Sequence, residues 1–105
     1  MATKAIETIG VVGAGQMGNG IAHVMALAGY EVLLNDVDQA ALDKAIVTIT
    51  RNIDRQIARG KVTEAERDAA MARISPTLNL ADLGATDLVI EAATEDEQVK
   101  RKIFA

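Results

Sequence analysis

Four glycines fall within the stretch VVGAGQMGNGIA, which runs from Val11 to Ala22. Three of them have the spacing Gly13-x-Gly15-x-x-Gly18, between an apolar β-branched run and a segment rich in Ala and Met. Glycine supplies no side chain to a core and costs backbone entropy. Such a cluster therefore indicates that the backbone turns tightly or approaches something closely. The pattern predicts a strand, a glycine turn and the start of a helix, which together open a βαβ unit.

Each glycine of the motif has a separate expected role. Gly13 makes the tight turn, Gly15 lets a pyrophosphate approach the backbone, and Gly18 lets the helix pack closely on the strand. The free N–H groups of the first helical turn carry roughly half a positive charge, which suits a phosphate. The predicted cofactor-binding loop consists of Gly13, Ala14, Gly15, Gln16, Met17 and Gly18.

An acidic residue follows at the distance that a dinucleotide site requires. Asp36 ends the run EVLLND, 23 residues after Gly13. Its carboxylate is expected to accept hydrogen bonds from both hydroxyls of an adenosine ribose and to repel a 2′-phosphate, which favours NAD over NADP. Asp38 is the alternative acid, although its position favours the N-cap of the next helix. A tight strand–helix turn with an unrelated Asp cap is the alternative interpretation of the whole motif.

The order of apolar segments predicts an α/β fold of the Rossmann type. Right-handed crossovers would place helices on both faces of a partial parallel sheet of about four strands, in the order 3-2-1-4. The strands are expected near residues 5–12, 31–36, 74–79 and 87–92.

Three helices are expected between these strands. The first runs from about Gly15 to Leu27, with an apolar face of Ile21, Val24, Met25 and Ala28. The second starts near Gln39 and stops at Gly60, with an apolar stripe of Leu42, Ile46, Ile49, Ile53 and Ile57. The third should run from Glu64 to about Arg73, opened by a capping box between Thr63 and Glu66.

Composition excludes several classes of function. The formal net charge of −4 argues against a nucleic-acid surface, and the lack of cysteine excludes disulfides and thiolate metal sites. No apolar run approaches the ~20 residues of a membrane span, and the first ten residues lack the apolar stretch of a secretory signal. We expect no metal and no membrane partner, and a cytoplasmic location.

Three stretches resemble one known family in the same order: IGVVGAGQMGNGIAHVMALAGYEVLLNDV, NIDRQIARGKVTEAE and ATDLVIEAATEDEQVKRKIF. They are similar to the 3-hydroxyacyl-CoA dehydrogenases, most closely to the bacterial 3-hydroxybutyryl-CoA members. The resemblance implies a Rossmann NAD domain, joined in the family to a helical C-terminal domain, and hydride transfer between NAD and 3-hydroxyacyl-CoA or 3-oxoacyl-CoA. It also implies further NAD contacts at Ala92, Glu95 and Lys100, and CoA contacts at Asn52 and Arg59.

The chain departs from the family in its catalytic groups. The family's catalytic histidine and its glutamate partner belong to a later HFFNP-like segment that these 105 residues do not contain. The one histidine, His23, lies inside the first predicted helix, where no catalytic role is expected. Residues 1–105 are therefore expected to form an NAD-binding half-domain, without the C-terminal catalytic domain and without turnover.

Other functions stay open at this point. The chain could be a self-assembling folding module without useful cofactor binding, a fragment of another β-hydroxyacid dehydrogenase, or a complete short enzyme or NAD sensor. An open strand edge at residues 87–92 predicts a homo-oligomer, through that edge or by exchange of the terminal helix. Arg51, Arg55 and Arg59 share one helix face, which indicates either a solvated surface or a phosphate partner.

Overall fold

The apolar run before the glycines forms an inner strand of a parallel sheet, because its β-branched side chains can be buried on both faces. The structure is a computed structural model that describes residues 6–92. Its elements are β1 (Thr8–Val12), α1 (Gln16–Leu27), β2 (Glu31–Asn35), α2 (Gln39–Ala58), α3 (Glu64–Arg73), β3 (Ile74–Thr77), a 3₁₀ helix (Leu80–Ala85) and β4 (Leu88–Glu91).

The four described strands are parallel and lie in the order β3-β2-β1-β4, which confirms the predicted topology. In the register of the sheet, Ile9 of β1 lies between Val32 of β2 and Leu88 of β4. Because the strands are parallel, their carboxyl ends meet at one edge of the sheet. The glycine loop after β1, Asp36 after β2 and Ala92 after β4 therefore share that edge.

Helices α1, α2 and α3 cover one face of the sheet. Val11 and Leu34 of the strands are fully buried together with Ile49 and Ile53 of α2. Burying such a side chain stabilises the fold by about 1.5–3 kcal/mol relative to leaving it in water. The predicted stripe of α2 is confirmed, since three members are buried and the other two, Ile46 and Ile57, pack against the core in part.

The predicted apolar face of α1 is partly wrong. Val24 is 59% exposed and Ala28 is exposed. The fully buried positions are Gly18, Ala22 and Ala26, one helical turn apart. These small residues let α1 lie close to the sheet. The prediction was wrong in part because it placed the larger apolar side chains of the helix in the core.

The 3₁₀ helix lies on the opposite face of the sheet, so helices are found on both faces as predicted. Gly10 of β1 faces it, and a Cβ built on Gly10 would lie 2.7 Å from Cγ of Leu83. Leu83 is buried. Glycine in the middle of β1 is thus required by the close approach of the 3₁₀ helix.

Local signals end and begin the helices where the sequence predicts. Gly29 and Gly60 follow α1 and α2 with φ of 107° and 74°, and each gives its helix a Schellman ending. At the start of α3, Thr63 and Glu66 form the predicted capping box.

The end of β3 differs from the boundary expected. β3 ends at Thr77 rather than residue 79, because the Oγ1 of Thr77 accepts a hydrogen bond from the Asn79 N–H at 3.1 Å and turns the chain. The Asn79 side chain then caps the 3₁₀ helix by accepting from the Ala81 N–H at 3.0 Å.

Charged side chains fix two further contacts between elements. Arg67 of α3 forms an ion pair with Asp54 of α2 at 2.9 Å, and this hydrogen bond, with that to Asp68, raises the pKa of Arg67 above its ordinary value. Asp87, just before β4, accepts hydrogen bonds through Oδ2 from the backbone N–H groups of Glu7 and Thr8 at 2.9 and 3.1 Å. The start of β1 is thereby fastened to the start of β4.

Candidate cofactor-binding site

The glycine loop turns sharply between β1 and α1. Gly13 has φ of 101°, a left-handed conformation that favours glycine, and its N–H donates to the Asn35 carbonyl at 2.7 Å. A Cβ on Gly18 would lie 1.6 Å from the carbonyl oxygen of Gly13 and 3.6 Å from a methyl carbon of Val11. The helix thus packs on the backbone of the loop at a distance that only glycine allows, whereas its contact with Val11 is an ordinary one. The turn at Gly13 is confirmed, and the close approach at Gly18 is made to the loop rather than to the strand.

Gly15 faces open space. A Cβ built on it would find no atom within 4 Å, although its φ of −68° is accessible to any residue. Gly15 is also the N-cap of α1, and no side chain caps the helix there. Together with the exposed Gln16 and Met17, it leaves the first-turn N–H groups uncovered at the carboxyl edge of the sheet. This arrangement fits a diphosphate, which needs both close backbone approach and free donors.

Asp36 lies beside the loop. Its Oδ2 accepts from the Ala14 N–H at 2.9 Å and its Oδ1 accepts from the Asp38 N–H at 3.0 Å. Each carboxylate oxygen has a second acceptor site, so the half-buried group can still accept from two ribose hydroxyls. Asp38 caps α2 by accepting from the Ala40 N–H at 3.0 Å, which confirms the N-cap role predicted for it.

Of the other expected NAD contacts, Ala92 alone belongs to the described residues. It is buried at the end of β4, and its N–H donates to the Val12 carbonyl at 2.8 Å. That bond brings it to the same edge as the glycine loop. Glu95 and Lys100 lie outside the described residues, as does a last helix that the run DEQVKRKIFA, residues 96–105, predicts.

The two expected CoA contacts lie away from the loop. Asn52 is in the second half of α2 and its Oδ1 accepts from Arg55 at 3.5 Å, while Arg59 caps the helix at its far end. A helix of 20 residues is about 30 Å long, so the structure does not bring Arg59 to the glycine loop. Arg51, Arg55 and Arg59 are all exposed, as their shared face predicts.

His23 connects two helices. Its Nε2 lies 2.8 Å from Oε1 of Gln56, so the side chain joins α1 to α2 through a half-buried hydrogen bond. This contact gives the residue a place in helix packing.

A groove beside the loop is not evident from the sequence. It has a volume of about 460 Å³ and runs between the start of α1 and the first half of α2. It is lined by Ala14, Gly15, Gln16, Asn19, Ala41, Lys44, Ala45 and Thr48. Lys44 and Thr48 are one turn apart on α2, but how α2 meets α1 depends on packing, which sequence spacing does not specify.

Two other kinds of site are absent from residues 6–92. This part of the chain has no helix with the length and apolarity needed to cross a bilayer. It also holds no group of three or more His, Asp or Glu side chains placed to bind a metal ion.

Comparison with known proteins agrees with this geometry. Residues 8–105 match the family described as 3-hydroxyacyl-CoA dehydrogenase, NAD binding domain. A 3-hydroxybutyryl-CoA dehydrogenase of Bradyrhizobium diazoefficiens is 54% identical over 99 residues, and one of Mycobacterium tuberculosis is 48% identical over 103 residues. These matches cover 94% and 98% of this chain.

Solved structures show the same similarity in three dimensions. The (S)-3-hydroxybutyryl-CoA dehydrogenase of Ralstonia eutropha matches 95% of the chain with a TM-score of 0.91 and 47% identity. The match covers 35% of that protein, and the two curated relatives are covered over 34% and 36% of their length. The chain thus spans about a third of these relatives. It belongs to the 3-hydroxyacyl-CoA dehydrogenase family as part of its NAD-binding domain, and NAD is the cofactor of that domain.

Proposed function

We propose that these 105 residues bind NAD(H) as the N-terminal part of a 3-hydroxybutyryl-CoA dehydrogenase. The observation that carries the proposal is the open backbone at Gly15, above an uncapped helix start and beside the Asp36 carboxylate. A diphosphate would accept from the N–H groups of the loop between Gly13 and Gly18. Asp36 would accept from the adenosine ribose hydroxyls, and its negative charge would disfavour the 2′-phosphate of NADP.

The remaining site residues extend this assignment. Ala92 supports the proposal because its backbone lies at the same edge of the sheet, and Glu95 and Lys100 follow it in the chain. Asn52 and Arg59 are proposed to contact CoA, with the exposed arginines of α2 as attractive charges for its phosphates.

The reaction of the whole protein is proposed to be hydride transfer between NAD and a 3-hydroxyacyl-CoA or 3-oxoacyl-CoA, in a cytoplasmic location. These 105 residues are expected to be inactive by themselves, since the family's histidine and glutamate pair is not among them. Purified chain mixed with acetoacetyl-CoA and NADH should leave the NADH absorbance unchanged. Steady oxidation of NADH would contradict the proposal that these 105 residues bind the cofactor without catalysing the reaction.

The cofactor site is tested by changing Gly15 to Ala. The new methyl group contacts nothing in the protein, so stability should fall only by the cost of a poorer N-cap, about 0.5–1 kcal/mol, but the methyl group occupies the space of the diphosphate. We expect NADH affinity, followed by fluorescence titration, to fall by at least about tenfold.

The matched control is Gly20→Ala in the same helix, because a Cβ there also finds no atom within 4 Å. It should leave NADH affinity unchanged. If wild-type chain shows no saturable change up to millimolar NADH, the cofactor proposal fails and a folding module becomes the better interpretation.

A second proposal concerns assembly. Within the described residues β4 is an edge strand, because its hydrogen-bonded neighbour is β1 alone, and Leu88 is 41% exposed there. An open edge of this kind pairs readily with another chain. We expect a homo-oligomer in solution, which size-exclusion chromatography with light scattering measures directly.

A further inference from the structure

Asn35 is the one polar residue that is buried in the part of the chain that the structure describes, with only 3% of its surface exposed. It is the last residue of β2 and directly precedes Asp36. A buried side-chain amide lowers stability unless its polar atoms find hydrogen-bond partners. Its partner therefore indicates which part of the molecule this amide holds in place.

The side chain of Asn35 bonds to the neighbouring strand β3. Its Nδ2 donates to the carbonyl oxygen of Thr77 at 3.1 Å, and only the nitrogen of the amide can donate to a carbonyl. The same carbonyl oxygen accepts from the Asp36 N–H at 3.2 Å. Thr77 ends β3 and lies opposite Asn35 in the sheet. Two hydrogen bonds thus converge on one oxygen, at the point where Asp36 leaves β2.

The backbone of Asn35 bonds to the glycine loop on the other side. Its carbonyl oxygen accepts from the Gly13 N–H at 2.7 Å. The Asp36 carboxylate in turn accepts from the Ala14 N–H at 2.9 Å. Asn35 therefore joins the end of β3 to the turn of the loop, and Asp36 lies directly beside that connection.

The next step rests on the proposed NAD site, in which Asp36 accepts from the ribose hydroxyls and disfavours NADP. We propose that Asn35 is a positioning residue, whose side chain holds the backbone of Asp36 against β3 and thereby sets where the carboxylate lies. A carboxylate distinguishes a hydroxyl from a 2′-phosphate through its charge at short range, so discrimination falls when its position varies. Without the amide, the backbone bond from the Asp36 N–H has to hold this corner without support from a side chain.

The test is Asn35→Leu, which keeps a side chain of similar size and removes the donor. Fluorescence titration with NADH and NADPH gives the ratio of affinities, which measures how well Asp36 discriminates. We expect NADH affinity to fall about threefold and NADPH affinity to stay the same, so that the preference narrows by the same factor. A residue that only supports the fold would lower both affinities equally, since unfolding removes the site for both cofactors. Asn35→Ala removes the same donor without adding bulk and should narrow the preference likewise.

Ile53→Val is the matched control for stability. Ile53 is fully buried in α2, and shortening its side chain weakens the core without touching the carboxyl edge of the sheet. It should leave the preference for NADH unchanged. A narrower preference in this variant would mean that the ratio follows stability, and the positioning role of Asn35 would be wrong.

Asp36→Ala separates this inference from the proposed function, because it should abolish the preference for NADH if the carboxylate is the discriminating group. If Asp36→Ala does so but the Asn35 variants keep the wild-type ratio, the positioning role is wrong while the NAD site stands. If the wild-type chain binds neither NADH nor NADPH, both proposals are wrong.

Discussion

Gly13 and Gly18 meet at the start of α1, five residues apart in sequence and in direct backbone contact. The sequence motif correctly predicted the turn at Gly13 and close packing at Gly18, because both depend on the local backbone. It placed the Gly18 contact on the strand, whereas the nearest atom is the carbonyl oxygen of Gly13. The 91% exposure of Val37, directly after β2, could not be predicted, because a valine at that position usually continues the strand.

Substitution of Gly18 by Ala should be severely destabilising. The added Cβ would lie 1.6 Å from the Gly13 oxygen, which is backbone and cannot move aside without opening the turn. We expect a loss of about 3 kcal/mol or more in the free energy of unfolding, beyond ordinary overpacking. Urea denaturation followed by circular dichroism measures it.

Gly20→Ala serves as the comparison for this change too. Its Cβ meets open space, so replacing glycine in a helix should raise stability by up to about 1 kcal/mol. Equal stability of the two variants would contradict the close approach at Gly18.

Helix boundaries were the most predictable features at the level of elements. Each helix end is fixed by residues that bond to nearby backbone groups, so the local sequence is sufficient to place it. The examples are Asp38 and Gly60 at the two ends of α2 and the Thr63–Glu66 pair at the start of α3. The buried face of α1 and the 3₁₀ helix were less predictable. Both depend on distant partners: α1 approaches the sheet through alanines, and Leu83 packs against Gly10 of β1.

Removal of the capping box should weaken α3 by a modest amount. Thr63→Ala deletes the oxygen that accepts from the Glu66 N–H at 3.1 Å. We expect a loss of about 1 kcal/mol in the free energy of unfolding, measured by urea denaturation. Glu66→Gln is the matched control, because glutamine keeps an oxygen that can accept from the Thr63 N–H and should cost less. A larger loss for Glu66→Gln than for Thr63→Ala would contradict this account.

At the scale of the whole molecule, residues 6–92 combine a well-predicted sheet with an open edge at β4. The strand order follows from right-handed crossovers and the family's topology, and the proline in β3 marks the other edge, where Pro76 lies opposite Leu34. The position of the cofactor site was also predictable, because the carboxyl ends of parallel strands meet at one edge of the sheet. The groove between α1 and α2 was not, because it depends on how two helices pack.

A charge on the open edge should oppose assembly. Leu88→Lys places an ammonium group on β4, where a second chain would have to desolvate it on pairing. We expect the apparent mass in size-exclusion chromatography with light scattering to fall toward that of one chain. Leu78→Lys is the control, since Leu78 is 50% exposed but follows β3. If both variants or neither change the mass, assembly does not use β4.

The hydrogen bonds from the Glu7 and Thr8 N–H groups to Asp87, which join the starts of β1 and β4, have a mechanical consequence. The described chain enters at Ile6, at the base of β1, and leaves at Ala92, at the top of the adjacent parallel strand β4. A force that draws these two points apart slides the strands past each other lengthwise. The hydrogen bonds between β1 and β4, from the pair Ile9–Leu88 to the pair Val12–Glu91, are then loaded at the same time as those of Asp87. They do not break one after another from one end. The pairing of β1 with β4 is consequently loaded in shear when the chain is pulled at these two points.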